Sequence, residues 1–182
     1  MIETVVESIR VSLVTQHRVV ILKEVEGERH LPIWIGSYEA EAIAMELQGV
    51  TASRPLPYDL MRTIIDDMGG SVDRIVVTDL SDDVFYARII VRQDNREVEI
   101  DSRPSDAIAL AVRVRVPILV DETVMDKAGV ILSSDEDDDD AESRVTHPEL
   151  ERAEGVDEER LSVFRDFIDT LDLDDFDRKK GN

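Results

Sequence analysis

The sequence predicts an α+β fold: a single pseudo-symmetric domain of two β-β-β-α units, followed by an acidic linker and a C-terminal helix. Three observations lead there. Over residues 1–132, β-branched runs bounded by turn residues alternate with apolar-periodic helical runs. A shift of 65 residues lays Val19–Leu47 over Val84–Val112 without a gap: Ser37 meets Ser102, Glu41 meets Asp106, and Ala42-Ile43-Ala44 meets Ala107-Ile108-Ala109. After Leu132 the composition turns sharply acidic.

In the first unit, Val5 to Leu13 and Arg18 to Val25 read as strands, Glu26-Gly27-Glu28 as a turn, and Leu31 to Ile35 as the returning strand, with Pro32 near its start. Ser37 precedes a helix from Ala40 to Leu47 with Ile43, Met45 and Leu47 as core positions and Glu39 and Glu41 in its first turn. Asp59 opens a second helix carrying Leu60, Ile64 and Met68 and stopped by Gly69-Gly70. In the second unit, Ser71 to Asp79, Val84 to Val91 and Glu97 to Ile100 are strands, with a turn at Asp94-Asn95. Ser105, as N-cap, starts a helix over Asp106 to Arg113, and Val116 to Val120 is strand-like.

Residues 133–156 read as an acidic, mobile linker, because Asp135 to Asp140 are six successive acids that repel one another. A calcium loop is excluded there: Asp140 stands where the sharp-turn glycine belongs and Thr146 where the last glutamate belongs. Residues 157–182 hold an amphipathic helix, capped by Asp157, with Leu161, Phe164, Phe167, Ile168 and Leu171 on one face. That face suits docking on its own chain or in a dimer.

Composition narrows the function. The 182 residues carry 42 acids, 21 bases, three histidines and no cysteine. The missing cysteine removes disulfide, thiolate-metal and cysteine-nucleophile chemistry. No apolar run approaches the ~20 residues of a membrane span, and Met1-Ile2-Glu3 does not begin a signal pattern, so a cytoplasmic protein is expected. Residues 1–132 hold 23 acidic and 14 basic side chains, a net −9, which argues against a broad basic surface for a phosphate backbone. Arg88, Arg92 and Arg96 are the candidates for a local basic strip.

The chain lacks a phosphate-binding glycine loop, a helical histidine pair and a nucleophile elbow. His17, His30 and His147 have no second histidine at ligand spacing. Two polar strand-to-helix junctions remain. One runs from Gly36-Ser37-Tyr38-Glu39 through Glu41 to Arg54-Pro55-Leu56-Pro57-Tyr58-Asp59; the other is Asp101-Ser102-Arg103-Pro104-Ser105-Asp106. Backbone N–H groups at helix starts attract anions, and a guanidinium adds two-pronged contacts to phosphate. If a pseudo-twofold brings the junctions to one cleft, their carboxylates can hold Mg²⁺ or Mn²⁺ while an arginine stabilises a transferring phosphate.

Through Leu31-Pro32-Ile33-Trp34-Ile35-Gly36 with Glu39-Ala40, Arg54-Pro55 with Tyr58-Asp59-Leu60, and above all Ser102-Arg103-Pro104-Ser105-Asp106-Ala107-Ile108-Ala109-Leu110-Ala111, residues 1–132 resemble the bifunctional nuclease (BFN) domain family. The resemblance implies an α+β domain, oligomeric assembly (here a homodimer is expected) and cleavage of DNA and RNA. Some members append a UvrB/UvrC-type helical motif, which this tail does not clearly match. Carried over, the catalytic candidates are Glu41, Asp59, Arg103 and Asp106. Arg54, Arg103 and Ser105 are substrate-binding candidates, and Glu39, Glu41 and Asp106 are metal ligands for Mg²⁺ or Mn²⁺. The expected function is phosphodiester hydrolysis of nucleic acid, the alternative a non-catalytic module that binds an anionic ligand or a protein.

Overall fold

The first three strands are rich in β-branched residues, which suit a pleated, half-buried surface. In the computed structural model, which describes residues 1–11 and 17–131, β1 (Ile2–Val11), β2 (Arg18–Glu24) and β3 (Arg29–Ile35) form one antiparallel meander. A second comprises β4 (Gly70–Ser81), β5 (Val84–Gln93) and β6 (Arg96–Ser102). Its turns, Asp82-Asp83 and Asp94-Asn95, have positive φ at both central residues, the geometry whose twist matches a two-residue hairpin. Aspartate and asparagine tolerate that conformation better than most side chains. The linker at 133–156 and the helix at 157–182 lie outside the described residues, as do residues 12 and 13 of the strand expected over Val5 to Leu13, which here starts earlier, at Ile2.

The two meanders join through β7 (Ile118–Val120), parallel to β4 on one side and antiparallel to β1 on the other. With the short β8 (Val130–Ile131) beside β3, the result is one eight-stranded mixed sheet in the order β6-β5-β4-β7-β1-β2-β3-β8. Bulges at Val6/Ser8, Val72/Arg74 and Val77/Asp79 add local twist. The duplication suggested by the 65-residue shift remains a sequence-level inference. The order of strands and helices agrees with α+β, and four helices complete it: α1 (Ser37–Leu47), α2 (Pro57–Asp67), α3 (Pro104–Val114) and α4 (Glu122–Ala128).

α3 lies at the centre of the helical layer, against α1, α2 and strands β3, β4 and β5. Ala107, Ile108, Ala109, Leu110 and Ala111 are all fully buried. A helix apolar on every side belongs inside a core, and its alanines let neighbours approach closely. It ends at Arg115, whose left-handed backbone (φ 58°) and the following Pro117 stop propagation. On α1, Ala40, Ala42 and Ile43 face the core, whereas Leu47 is exposed.

α2 departs from expectation twice. Its N-cap is Leu56, not Asp59; Pro57 occupies the first turn, where a missing N–H costs nothing, and the Asp59 carboxylate reaches back to accept the Leu56 N–H at 2.7 Å. Its inward residues are Tyr58, Met61 and Ile65, while Leu60, Ile64 and Met68 are exposed. Both sets have helical spacing, so periodicity alone cannot choose between them. α4 was not foreseen, although Asp121 caps it through the Thr123 N–H at 2.9 Å. Among the described residues, no helix is long and apolar enough to cross a membrane.

Candidate active site

The two strand-to-helix junctions meet. β3 ends at Ile35 and Gly36 caps α1; β6 ends at Ser102 and Arg103 caps α3 in extended backbone, with Pro104 as the first helical residue. A Cβ at Gly36 would lie 2.2 Å from Oε2 of Glu39, whose side chain folds back over the turn and would have to shift to make room. Glu39 and Asp106 thus sit in the first turns of their helices, where the N-terminal dipole favours an anion.

Arg103 joins them. Its Nε donates to Asp106 Oδ2 at 2.7 Å, and its Nη2 donates both to Asp106 Oδ1 at 2.9 Å and to Glu39 Oε1 at 2.7 Å. The two-pronged contact to Asp106, then the bond to Glu39, raise the arginine above its ordinary value, so it is permanently charged. Nη1 makes no hydrogen bond to a described residue, and two-thirds of the side chain (66%) is exposed. An incoming anion therefore finds one free edge of a guanidinium that is otherwise held in place.

Beneath this exposed layer lies a buried one. Tyr58 donates its hydroxyl to Asp106 Oδ1 at 3.1 Å. Burial, then the neighbouring Asp106 charge, push the phenol up to about 12. The Arg113 guanidinium lies 5.3 Å from the centre of the Tyr58 ring, a cation–π distance. Arg113 also donates to Asp59 Oδ1 at 3.0 Å, to the Ala109 carbonyl at 2.9 Å and to the Ala42 carbonyl at 3.0 Å. One buried side chain thereby ties α1, α2 and α3 together under the site.

A titration tests this layer. A Tyr58 phenol raised from 10 to about 12 contributes stability that is intact below pH 10 and lost as pH rises through about 12. In Tyr58→Phe, the tyrosinate absorbance change near pH 12 disappears, and stability at neutral pH falls by about 1 kcal/mol for the lost hydrogen bond. A full-amplitude change at that pH in the variant would assign the signal elsewhere.

The expected residues thus divide. Glu39, Arg103 and Asp106 converge, with Asp59 behind them, bound to Arg113 and to its own helix start. Glu41, the supposed equivalent of Asp106, is exposed and makes no side-chain hydrogen bond or ion pair with a described residue; Glu39 occupies the position facing Arg103 instead. Arg54 is exposed between α1 and α2 and likewise unpaired among the described residues. Ser105 is buried as the second residue of α3, so it does not cap the helix.

The metal set Glu39, Glu41 and Asp106 is not gathered about one point, and no group of three or more histidine, aspartate or glutamate residues among the described residues could hold an ion. Glu39 and Asp106 instead share an arginine, which supplies the cation they need. Of the strip of Arg88, Arg92 and Arg96, the first two are neutralised: Arg88 pairs with Glu99, and Arg92 with Asp73 at 2.8 Å, whereas Arg96 is exposed and makes no ion pair with a described residue. Arg113 escaped the sequence reading altogether. Its only signal was a charge in the last turn of an otherwise apolar helix.

Residues 20–133 match the model of the bifunctional nuclease domain. The chain belongs to the bifunctional nuclease domain family. An uncharacterized protein of Mycobacterium tuberculosis is 40% identical over 174 residues, covering 96% of this chain and 97% of its own. Bifunctional nuclease 2 of Arabidopsis thaliana is 31% identical over 110 residues, covering 58% of this chain and 33% of its own. Bifunctional nuclease 1 of Oryza sativa subsp. indica is 29% identical over 112 residues, covering 59% and 34%. The likeness to the two plant members of the family covers more than half of this chain and only about a third of each plant chain.

Proposed function

We propose that this BFN-domain protein is a nuclease that hydrolyses phosphodiester bonds of DNA and RNA at the Glu39–Arg103–Asp106 junction. One observation carries the reading: an exposed, permanently charged arginine with a free Nη1, fixed by two carboxylates at paired helix N-termini. Membership of a family whose plant members are named bifunctional nucleases supports it. In this reading Nη1 of Arg103 contacts a non-bridging phosphate oxygen and stabilises the charge that develops there. Asp106 or Glu39 orients and deprotonates the attacking water. Tyr58 and Arg113 keep Asp106 in position. Arg54, Glu41 and Ser105 are assigned no step.

The proposed chemistry uses no metal ion, since the described acids gather no site for one, and any dependence on Mg²⁺ or Mn²⁺ is tested directly. The experiment is cleavage of labelled single-stranded DNA and RNA with EDTA, Mg²⁺ or Mn²⁺, by wild type and Asp106→Asn prepared identically. We expect the asparagine variant to lose about 100-fold or more in rate. Equal cleavage by both proteins would remove the site from this junction. Abolition by EDTA would mean that an ion enters beside Glu39 and Asp106, displacing Arg103 from at least one of them.

A second reading has its own observation. Two carboxylates already occupy Arg103, and residues 1–132 carry a net −9, which repels a polyanion at long range. A non-catalytic module that binds a small anion or a protein would suit that balance. Absence of cleavage by wild type under every metal condition would favour it.

A further inference from the structure

We propose that β6 is a docking edge for an extended basic segment of a partner protein, which adds to the sheet as a further strand. The argument starts from the backbone. β6 is the terminal strand of the sheet, and its seven residues keep unbroken antiparallel register with β5, from Ala87↔Ser102 to Gln93↔Arg96. Beyond that ladder, no backbone hydrogen bond among the described residues involves residues 96–102. Half of the strand's N–H and C=O groups therefore face outward without a strand partner. Proteins usually blunt such an edge with a bulge, a proline or a covering element. The opposite side of the sheet has two of these, Pro32 within β3 and the short β8. β6 has none.

Side chains define what fits. Val98 and Ile100 lie opposite Val91 and Ile89 and so share their face of the sheet, towards the helices, yet each is 41% exposed. α2 reaches β5, where Gln93 Nε2 donates to the Met68 carbonyl at 2.7 Å, but leaves β6 uncovered. On the other face Glu97, Glu99 and Asp101 form an acidic row. The arginines of β4 and β5 answer Glu97 and Glu99, and Asp101 has no ion pair with a described residue.

Charge selects the occupant. A second copy paired antiparallel about an axis normal to the sheet would set one row of acids against its twin, and like charges directly opposite are destabilising. Nucleic acid meets the same repulsion. An extended polypeptide with lysine or arginine on one face and apolar residues on the other meets Asp101, unpaired among the described residues, on one face and Val98 and Ile100 on the other, and the net −9 of residues 1–132 draws it in. This surface is separate from the Arg103 junction and does not depend on catalysis.

The test uses the full chain and a short synthetic peptide alternating lysine and valine. Its control has the same composition with lysines and valines in separate blocks. We expect the alternating peptide to bind about tenfold more tightly than the blocked one and to slow amide hydrogen exchange in β6. Ile100→Lys puts an inward-pointing charge on the edge and should cut the affinity about tenfold with an unchanged melting temperature. Asp101→Lys, at an exposed position on the other face, should weaken it as well. Four results would overturn the proposal: no binding, equal binding of the two peptides, indifference to both substitutions, or β6 protection without peptide that grows with protein concentration. The last would give the edge to a second copy.

Discussion

Arg113→Ala lowers the stability of the domain by about 3 kcal/mol in urea denaturation, the largest loss expected from a single charged side chain among the described residues. The Arg113 side chain is 3% exposed and its guanidinium serves Asp59, two carbonyls and the face of Tyr58 at once. Truncation removes all four contacts and leaves a void where α1, α2 and α3 meet. The partner Asp59 is 41% exposed, so water rescues part of the orphaned charge, which keeps the figure at the lower end for a buried pair. Arg113→Lys keeps the charge but cannot span the same partners, and recovers less than half of the loss. A loss below about 1 kcal/mol in the alanine variant would mean that the three helices are held by apolar packing alone.

Arg103→Ala has the opposite signature. If the proposed function holds, cleavage falls by about 100-fold in kcat/KM, whereas stability changes by less than about 0.5 kcal/mol. The guanidinium is mostly exposed and its ion pairs are surface pairs, so little folding energy depends on it. A lysine at this position still neutralises Glu39 and Asp106 but cannot grip Asp106 with two nitrogens and offer a third to substrate, so Arg103→Lys retains only part of the activity. Rates of the three proteins on single-stranded DNA and RNA, with melting curves of each, make the comparison. Undiminished cleavage by the alanine variant would remove Arg103 from the chemistry. Parallel losses of activity and stability would make it a structural residue.

Much of the site was legible because its residues are close in sequence to local signals. Arg103, Pro104 and Asp106 follow a strand and open a helix, and proline at a helix start with an acid in the first turn marks that boundary in any context. Glu39 stands at the corresponding point after β3. That both junctions carry acids beside one arginine was readable; which acid faces the arginine was not. Glu41 and Glu39 lie two residues apart on α1 and therefore point in different directions around the helix. Only the packing of α1 on α3 decides that Glu39 meets Arg103.

By itself the sequence determined the α+β class, three successive strands in each unit with turns at Glu26-Gly27-Glu28 and Asp94-Asn95, the helix after the second set, and membership of the BFN family. These depend on period, turn chemistry and propensity, which act over a few residues. The tertiary structure alone decided that β7 joins the two meanders, that α2 buries Tyr58, Met61 and Ile65 instead of Leu60, Ile64 and Met68, and that Arg113 is a buried tie beneath the site. It also paired Arg88 and Arg92, two of the three arginines of the supposed basic strip, with acids. Each of these is set by a partner distant in the chain: an apolar stripe is core only if another surface covers it, and a charge is free only if no opposite charge folds beside it.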